Sequence, residues 1–139
     1  MNKKILLKNM IKMIESRKID DKYFSEDLVV EGIKPIPMNK QEYVEFLEKF
    51  VFAIPDISYN PKQFVLKGNK TVETKLKISG TNTNPLELPD IPNHPATGRS
   101  FKLPEETMEC EIELNRISRI KVSNERISNL MNQLRINLF

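Results

Sequence analysis

Alternating apolar and charged side chains over residues 107–122 constrain the fold of this chain more than any other sequence feature. Met, Cys, Ile and Leu occupy the even positions from 108 to 114, and Glu occupies positions 109, 111 and 113. Successive side chains of a strand point to opposite faces of a sheet, so this period of two predicts one buried and one solvated face. Asn115 and Arg116 predict a turn into a further strand over residues 117–122. The segment therefore predicts part of an antiparallel sheet that is covered on one side only.

Residues 71–79 show the same period and predict a neighbouring strand. Positions 72, 74, 76 and 78 hold Val, Thr, Leu and Ile, while positions 73, 75 and 77 hold Glu, Lys and Lys. If consecutive strands pair antiparallel, the three glutamates lie beside Lys75 and Lys77 on one side. On the other side they lie beside Arg119 and Lys121. Each exposed pair contributes only about 0.2–1 kcal/mol, but the arrangement fixes the register.

Three segments predict helices. Residues 3–16 carry apolar side chains at the spacing of one helical face. Asn39, followed three residues later by Glu42, predicts a capped helix that ends before Pro55. Asn124 is expected to cap a C-terminal helix with one apolar face. Helices combined with a meander of strands predict an α+β fold with the helices on one face of an antiparallel sheet, and 139 residues suit a single domain, residues 1–139.

Composition and charge argue against several classes of function. The net charge is +3, from 22 basic and 19 acidic residues, and the basic side chains of the first helix alternate with apolar ones. No nucleic-acid partner is therefore expected. One histidine and one cysteine with scattered carboxylates make no ligand set, so we expect no metal and no cofactor. The lack of a long apolar run predicts no membrane contact and a cytoplasmic location.

Five short motifs follow one another along the chain: YFSEDLVVEG at 23–32, AIPDISY at 53–59, ISGTNTNP at 78–85, PATGR at 95–99 and LMNQL at 130–134. In order and spacing they resemble the motifs of the SnoaL-like polyketide cyclase group of the nuclear transport factor 2-like superfamily. The resemblance implies a cone-shaped α+β fold in which a curved antiparallel sheet packs against N-terminal helices, with a C-terminal helix. It also implies a homodimer, because superfamily members often pair through the outer face of the sheet.

The resemblance further implies acid/base chemistry in an apolar pocket, but two family residues that would move protons are replaced here. The family aspartate before the last helix falls on Arg126, with Glu125 one position away. The family histidine falls on Asn82, which cannot exchange protons near neutral pH. The inner strand faces are expected to carry no ionisable side chain other than Cys110. Whether the chain is an enzyme is therefore left open.

Two residues are candidates for proton transfer. Glu125 can take the role of the family aspartate if it points inward, and otherwise it complements the dipole of the last helix. His94 lies in the loop over residues 82–96, which can fold over the mouth of a cavity; otherwise this histidine is solvated. The expected pocket residues lie on inner strand faces or at the rim: Tyr23, Tyr43, Thr74, Leu76, Asn82, Met108, Cys110 and Ile112.

Two functions from different classes remain open. In the first, the chain binds a small apolar molecule in a cone-shaped cavity, as a diverged polyketide cyclase, as a ketosteroid-isomerase-type acid/base enzyme, or as a non-catalytic binder. In the second, side chains such as Phe46, Met108 and Met131 fill the cavity, and the chain is a non-catalytic homodimeric interaction or scaffold module. A cavity of roughly 300 Å³ or more favours the first function.

Overall fold

The computed structural model describes residues 2–137. Three α-helices, seven β-strands and one short 3₁₀ turn follow one another along this part of the chain. In chain order they are α1 (Lys3–Glu15), the 3₁₀ turn (Asp21–Tyr23), β1 (Phe24–Glu31), α2 (Lys40–Ala53), β2 (Lys62–Lys67), β3 (Thr71–Leu76), β4 (Ser79–Thr81), β5 (Ser100–Lys102), β6 (Glu106–Glu113), β7 (Arg116–Lys121) and α3 (Arg126–Leu134).

Five of the described strands form the main sheet, in the order β1-β7-β6-β3-β2. β1 pairs parallel with β7, and the other three pairings are antiparallel. Parallel pairing is available to β1 because α2 and most of the chain connect it to β7. β4 and β5 form a separate two-stranded sheet. The predicted α+β fold class is confirmed, and the main sheet is mixed rather than wholly antiparallel.

The outer face of the main sheet carries the charged side chains that the alternation predicts. Glu109 lies opposite Lys121, and Glu111 lies opposite Arg119, as expected for the β6–β7 pair. Arg119 also reaches Glu31 on the edge strand β1, with Nη2 and Oε1 separated by 2.7 Å. Opposite charges thus face each other across three neighbouring strands, which supports their register.

The predicted partners of the glutamates on the β3 side are wrong. Lys75 lies opposite Thr107, and Lys77 follows the end of β3 and is not part of the ladder. The register of β3 is displaced by at least four residues from one in which both lysines face glutamates, and Glu73 lies opposite Glu109. Lys70, in the turn before β3, supplies the positive charge instead and places its Nζ 2.9 Å from the Glu113 carboxylate.

The helix starts differ in how well the sequence predicts them. Asn39 Oδ1 accepts from the Glu42 N–H at 2.9 Å, and Glu42 Oε1 accepts from the Asn39 N–H at 2.9 Å, so the predicted capping box is confirmed. The predicted cap at Asn124 is wrong, because Glu125 occupies the N-cap position of α3 and its side chain makes no capping bond. Ser123 organises this turn instead, because its Oγ accepts from the Glu125 N–H at 3.1 Å.

The helices bury their apolar faces against the inner face of the main sheet in one continuous core. Phe46, Met108 and Met131, the residues expected to fill a cavity, are all part of this core. A fully buried side chain of this size contributes about 1.5–3 kcal/mol. No helix within residues 2–137 has the length and hydropathy to cross a bilayer.

Candidate functional site

The inner face of β6 carries a carboxylate at its first position. Glu106 has the same parity as Met108 and Cys110, so its side chain points into the core. Its Oε1 accepts from Nε of Arg126 at 2.6 Å, and the two side chains are only 7% and 1% exposed. Its Oε2 accepts from the Ser123 N–H at 2.9 Å. The expectation that Cys110 is the only ionisable residue inside is therefore wrong, because β6 begins one residue earlier than the alternation indicated.

Arg126, the first residue of α3, lies against the aromatic ring of Tyr59. Its guanidinium carbon is 5.8 Å from the centre of the Tyr59 ring. Nη1 and Nη2 of Arg126 and the hydroxyl of Tyr59 are buried, and none of them has a hydrogen-bond partner within residues 2–137. Tyr59 is held in place because its backbone N–H donates to Glu15 Oε2 at 2.7 Å. The core therefore contains a fixed cation whose two terminal nitrogens make no close hydrogen bond within the described residues, beside a tyrosine hydroxyl that is near enough to interact with the guanidinium.

Burial and charge together set the protonation states around this pair. Burial alone would lower the pKa of Arg126. Electrostatic interactions with Glu106, Tyr59 and Tyr43 outweigh this effect, so the pKa is raised and the guanidinium stays charged. Burial raises the pKa of Tyr43 well above its usual range and also raises that of Tyr59, while Arg126 opposes both shifts. Burial likewise raises the pKa of the Cys110 thiol. These four groups supply hydrogen bonds and charge, not an exchangeable proton at neutral pH.

A separate apolar pocket of about 330 Å³ lies between α2, α3 and the long loop that precedes β5. The volume falls within the range of small-molecule sites. Lys34, Asp90 and Ser128 contribute the polar groups of the wall. The remaining lining residues are apolar: Ile33, Pro35, Met38, Phe46, Leu88, Pro89, Ile91 and Ile127.

The pocket and the buried pair are separate, but both involve side chains of α2 and α3. Phe46, which lines the pocket, stacks on Tyr43 with 6.3 Å between ring centres. Tyr43 is in turn close enough to Arg126 for the cation to act on its pKa. On α3, Ile127 lines the pocket and directly follows Arg126. The pocket and the buried pair therefore lie against the same two helices.

The loop over residues 82–99 forms the roof of the pocket, and Asn82 fixes its base. Asn82 Oδ1 accepts from both the backbone N–H and the hydroxyl of Thr97, each at 2.9 Å. Gly98, with a φ of +69°, donates its N–H to the Asn82 carbonyl at 2.9 Å. A positive φ favours glycine, which explains this position of the PATGR motif. Further along the loop, Leu86 and His94 exchange backbone hydrogen bonds of 2.8 and 2.9 Å.

The tip of the loop is tied to the rim of the pocket by an ion pair. Asp90 Oδ2 lies 2.9 Å from Lys34 Nζ, and Lys34 also lies 3.6 Å from the Glu42 carboxylate at the start of α2. Leu86 and Leu88 turn inward and are only 2% and 4% exposed. The roof thus has an apolar inner side and a charged contact at its outer end.

Of the two candidates for proton transfer, Glu125 lies next to the buried pair, because it precedes Arg126 and lines a cleft of about 170 Å³ together with Glu106 and Arg126. Glu125 is exposed at the N-cap of α3. His94 is half-buried in the loop, and its Nδ1 lies 2.9 Å from the Pro95 carbonyl oxygen. Within the described part of the chain, no hydrogen bond or ion pair joins either side chain to Glu106 or Arg126. The structure therefore does not bring these two candidates together in one site.

The residues predicted to line the pocket fall into three groups. Tyr23 is half-buried in the 3₁₀ turn. Asn82 is buried, and its side chain is occupied by the base of the loop. The others are buried in the core, and Tyr43 and Cys110 among them lie near Arg126: Tyr43, Thr74, Leu76, Met108, Cys110 and Ile112. Among the residues that the structure describes, none of this predicted set lines the apolar pocket.

Sequence reasoning missed Glu106, Tyr59 and the apolar tip of the loop. The parity of Glu106 with Met108 was an available signal, but a charged residue at the edge of an alternating segment reads as a turn. Tyr59 lies in the AIPDISY motif, and its burial depends on contacts with α1 that are distant in sequence. Leu88 and Ile91 stand out as apolar residues in a proline-rich loop, which is the one local sign that this loop packs on the core.

Solved structures share this architecture over nearly their whole length. The candidate polyketide cyclase IdmH of Streptomyces antibioticus matches with a TM-score of 0.74 and 16% identity, over 98% of this chain and 100% of that chain. A candidate SnoaL-like polyketide cyclase from Jannaschia matches with a TM-score of 0.74 and 6% identity, over 95% of this chain and 92% of that one. The chain has the SnoaL-like fold. The resemblance predicted from the sequence motifs is confirmed at this level.

The same fold is associated with more than one kind of chemistry. The candidate hydroxylase AclR of Streptomyces galilaeus matches this chain with a TM-score of 0.75 and 17% identity, over 95% of this chain and 94% of that chain. No protein-family model and no curated protein matches the sequence. The fold alone therefore does not specify a reaction, and function must be argued from the site.

Proposed function

We propose that this SnoaL-like chain binds a small, largely apolar molecule beneath the loop over residues 82–99. The observation that carries the proposal is the apolar pocket of about 330 Å³ between α2, α3 and the tip of the loop. Pockets of this size, with mostly apolar walls and a few polar groups, suit small organic ligands. The likeness to candidate polyketide cyclases favours a ring-containing organic molecule as the ligand.

Binding, without proton transfer, is the function that the buried groups support. Acid/base catalysis requires a group that gains and loses a proton near the working pH. The raised pKa values of Tyr43, Tyr59 and Cys110 keep these groups protonated, and the Arg126 guanidinium stays charged. The Glu106 carboxylate is engaged at 2.6 Å by Arg126. The interior is therefore better suited to holding a molecule than to moving a proton.

Native mass spectrometry of the freshly purified protein tests the proposal. A mass increment that disappears on denaturation is expected and gives the mass of the ligand. Ser128→Trp should abolish the increment, because Ser128 is exposed at the pocket wall and a bulky ring there occupies the ligand volume.

Asn132→Trp is the matched control for that variant, because Asn132 is also exposed on α3 and does not line the pocket. It should retain the ligand. Equal retention by Ser128→Trp and by the wild-type protein would contradict a ligand site under the loop.

The homodimer is a separate proposal, and it concerns the outer face of the main sheet. Ion pairs within the chain already neutralise much of this face, such as Arg119 with Glu31 and Lys67 with Glu73, each at 2.7 Å. A dimer built on such a polar surface should weaken as salt screens its charges. Sedimentation equilibrium at about 0.1 and 1 M NaCl tests this, and a salt-independent dimer would point to an apolar interface elsewhere.

A further inference from the structure

β2 is an edge strand of the main sheet, and it exposes apolar side chains on both of its faces. β3 pairs with one side of β2, and no strand within residues 2–137 pairs with the other side. The backbone N–H and C=O groups that point away from β3 therefore have no strand partner in this part of the chain. Val65 and Leu66, whose side chains point to opposite faces, are 45% and 49% exposed. An exposed apolar edge of this kind is a template for a further strand.

Helix α1 runs alongside β2 in the opposite direction and borders this edge. Glu15, at the end of α1, accepts from the backbone N–H of Tyr59, which precedes β2, at 2.7 Å. Lys8, in the middle of α1, places its Nζ 5.0 Å from the centre of the half-buried Phe64 ring. The start of α1, where Ile5 is 49% exposed, therefore lies toward the end of β2. The edge of β2 and the first turns of α1 thus form one partly apolar surface.

The charges around this surface are positive. Four lysines beside the edge make no ion pair within the described residues: Lys4, Lys8 and Lys12 of α1, and Lys62 at the start of β2. The three on α1 recur at every fourth position, so they share the helix face that reaches Phe64. Lys67, at the end of β2, is paired with Glu73, with 2.7 Å between Nζ and Oε2. The unpaired positive charges attract an acidic partner.

The charge pattern also decides between an acidic partner and a second copy of this chain. Two copies of β2 in an antiparallel pair would bring the lysines at its two ends, Lys62 and Lys67, close together. Like charges that face each other across two strands are destabilising, and lysines on edge strands commonly prevent such self-pairing. A segment with an apolar centre and acidic ends has the opposite pattern, so it matches both the centre and the ends of β2.

We propose that the edge of β2 binds an extended acidic segment of a partner protein, which is added to the main sheet as a sixth strand. Main-chain hydrogen bonds to residues 64–67 supply the pairing. Apolar side chains of the segment pack on Ile5 and Leu66 on one face and on Val65 on the other, and its acidic ends face the lysines. The register of β2 shifts next to Gln63, whose φ is +56°, and this irregularity confines the pairing to a short stretch.

A fluorescent peptide with the sequence EEVIVEE, blocked at both ends, tests the proposal on the full chain. Fluorescence anisotropy is expected to show saturable binding. The matched peptide KKVIVKK keeps the apolar centre and reverses the charge, so it should bind about tenfold more weakly or not at all.

Two N-methylated forms of EEVIVEE test the backbone pairing. Methyl groups on alternate residues lie on one edge of the extended peptide in the first form and on the opposite edge in the second. Only one edge of an added strand faces β2. One form should therefore bind like the parent peptide, and the other should bind about tenfold more weakly or not at all, because its donors to β2 are blocked.

Leu66→Glu removes an apolar contact and adds a negative charge at the edge. Its affinity for EEVIVEE should fall about tenfold, while its circular dichroism spectrum and Tm stay close to those of the wild-type protein, because Leu66 is exposed. Ile36→Glu is the matched control. Ile36 is 73% exposed and follows β1, the strand at the opposite edge of the sheet, so this variant should keep the wild-type affinity.

The backbone of β2 provides a direct readout. In ¹⁵N-labelled protein, the amide signals of residues 64–67 should shift on addition of EEVIVEE, and the outward-pointing amides among them should exchange more slowly with solvent.

Each result supports or overturns strand addition. Selective loss of binding by one methylated form, with amide shifts at residues 64–67, supports it. Equal affinity of the two methylated forms overturns it and leaves only attraction of the peptide to lysines. Wild-type affinity in Leu66→Glu, or no binding of EEVIVEE to the wild-type protein, also overturns it. A dimer in sedimentation equilibrium that Leu66→Glu dissociates identifies a second copy at this edge and overturns the acidic partner.

Discussion

Two Glu–Arg pairs on opposite faces of the same sheet show how strongly surroundings change the role of an ion pair. On the outer face, Arg119 and Glu31 meet at 2.7 Å with side chains 48% and 30% exposed. On the inner face, Arg126 and Glu106 meet at 2.6 Å with side chains 1% and 7% exposed. An exposed pair typically contributes about 0–1 kcal/mol, whereas removing one partner of a buried pair costs about 3–5 kcal/mol. Distance alone therefore does not distinguish a pair that supports a strand register from one on which the core depends.

The largest expected effect comes from breaking the inner pair. Arg126→Met should lower the free energy of unfolding by about 3–5 kcal/mol, because it leaves the buried Glu106 carboxylate without its cation. Urea denaturation followed by circular dichroism measures this loss. A loss below about 1 kcal/mol would show that the inner pair behaves like an exposed one.

Removing both partners of the inner pair sharpens the comparison. The double variant Glu106→Leu with Arg126→Met should recover most of the stability lost in Arg126→Met, because buried ion pairs are often replaceable by apolar side chains of similar volume. The same urea experiment gives the coupling between the two sites. The single variant Glu106→Leu completes the comparison. If the stability loss in the double variant equals the sum of the losses in Glu106→Leu and Arg126→Met, the effect of removing one buried charge does not depend on the other, which would contradict the prediction.

Alkaline pH should affect the inner region through Tyr43. Its pKa is raised well above the usual range by burial, so the unfolded chain loses this proton first, near pH 10. The contribution of Tyr43 to stability is fully present below about pH 10 and is lost as pH rises toward the folded-state pKa, at up to about 1.4 kcal/mol per pH unit. Urea denaturation at several pH values from 8 to 11 should show a shallower decline for Tyr43→Phe than for the wild-type protein. Parallel declines would contradict the raised pKa.

The smallest expected effect concerns the outer pair. Arg119→Met should lower the free energy of unfolding by no more than about 1 kcal/mol in 0.1 M NaCl, and less in 1 M NaCl, because salt screens exposed charges. The loss in Arg126→Met should change little over the same range of salt. The prediction would be contradicted if the stability loss in Arg126→Met changed with salt while the loss in Arg119→Met did not.

The outer face was largely predictable from sequence, because it depends on a period of two that is visible over a few residues. The alternation over residues 107–114 predicted β6 and its charged face, and Asn39 with Glu42 predicted the start of α2. Lys70 was not predicted as a partner of Glu113, because a turn residue has no strand periodicity to place it.

The candidate site was less predictable, because its parts are distant in sequence. The Glu106–Arg126 contact joins the first residue of β6 to the first turn of α3, and the parity of Glu106 with Met108 indicates an inward side chain without indicating its partner. The apolar pocket forms where Leu88 and Ile91 share its walls with Phe46 and Ile127. Two apolar residues in a proline-rich loop indicate that the loop packs on the core, but not against which residues. The sequence motifs did indicate the fold, since their order reflects the order of its elements.

Asn82 allows the tip of the loop to change without changing the rest of the fold. Its side chain and backbone hold both ends of the loop through Thr97 and Gly98, so the separation of the ends does not depend on what lies between them. Residues 87–93 can therefore vary in sequence or length with little effect on the sheet, since loop closure free energy changes only slowly with length. Selection can then act on ligand preference through the tip while β6 and α3, which carry the buried pair, stay the same, so the roof is the part of the molecule that is freest to evolve.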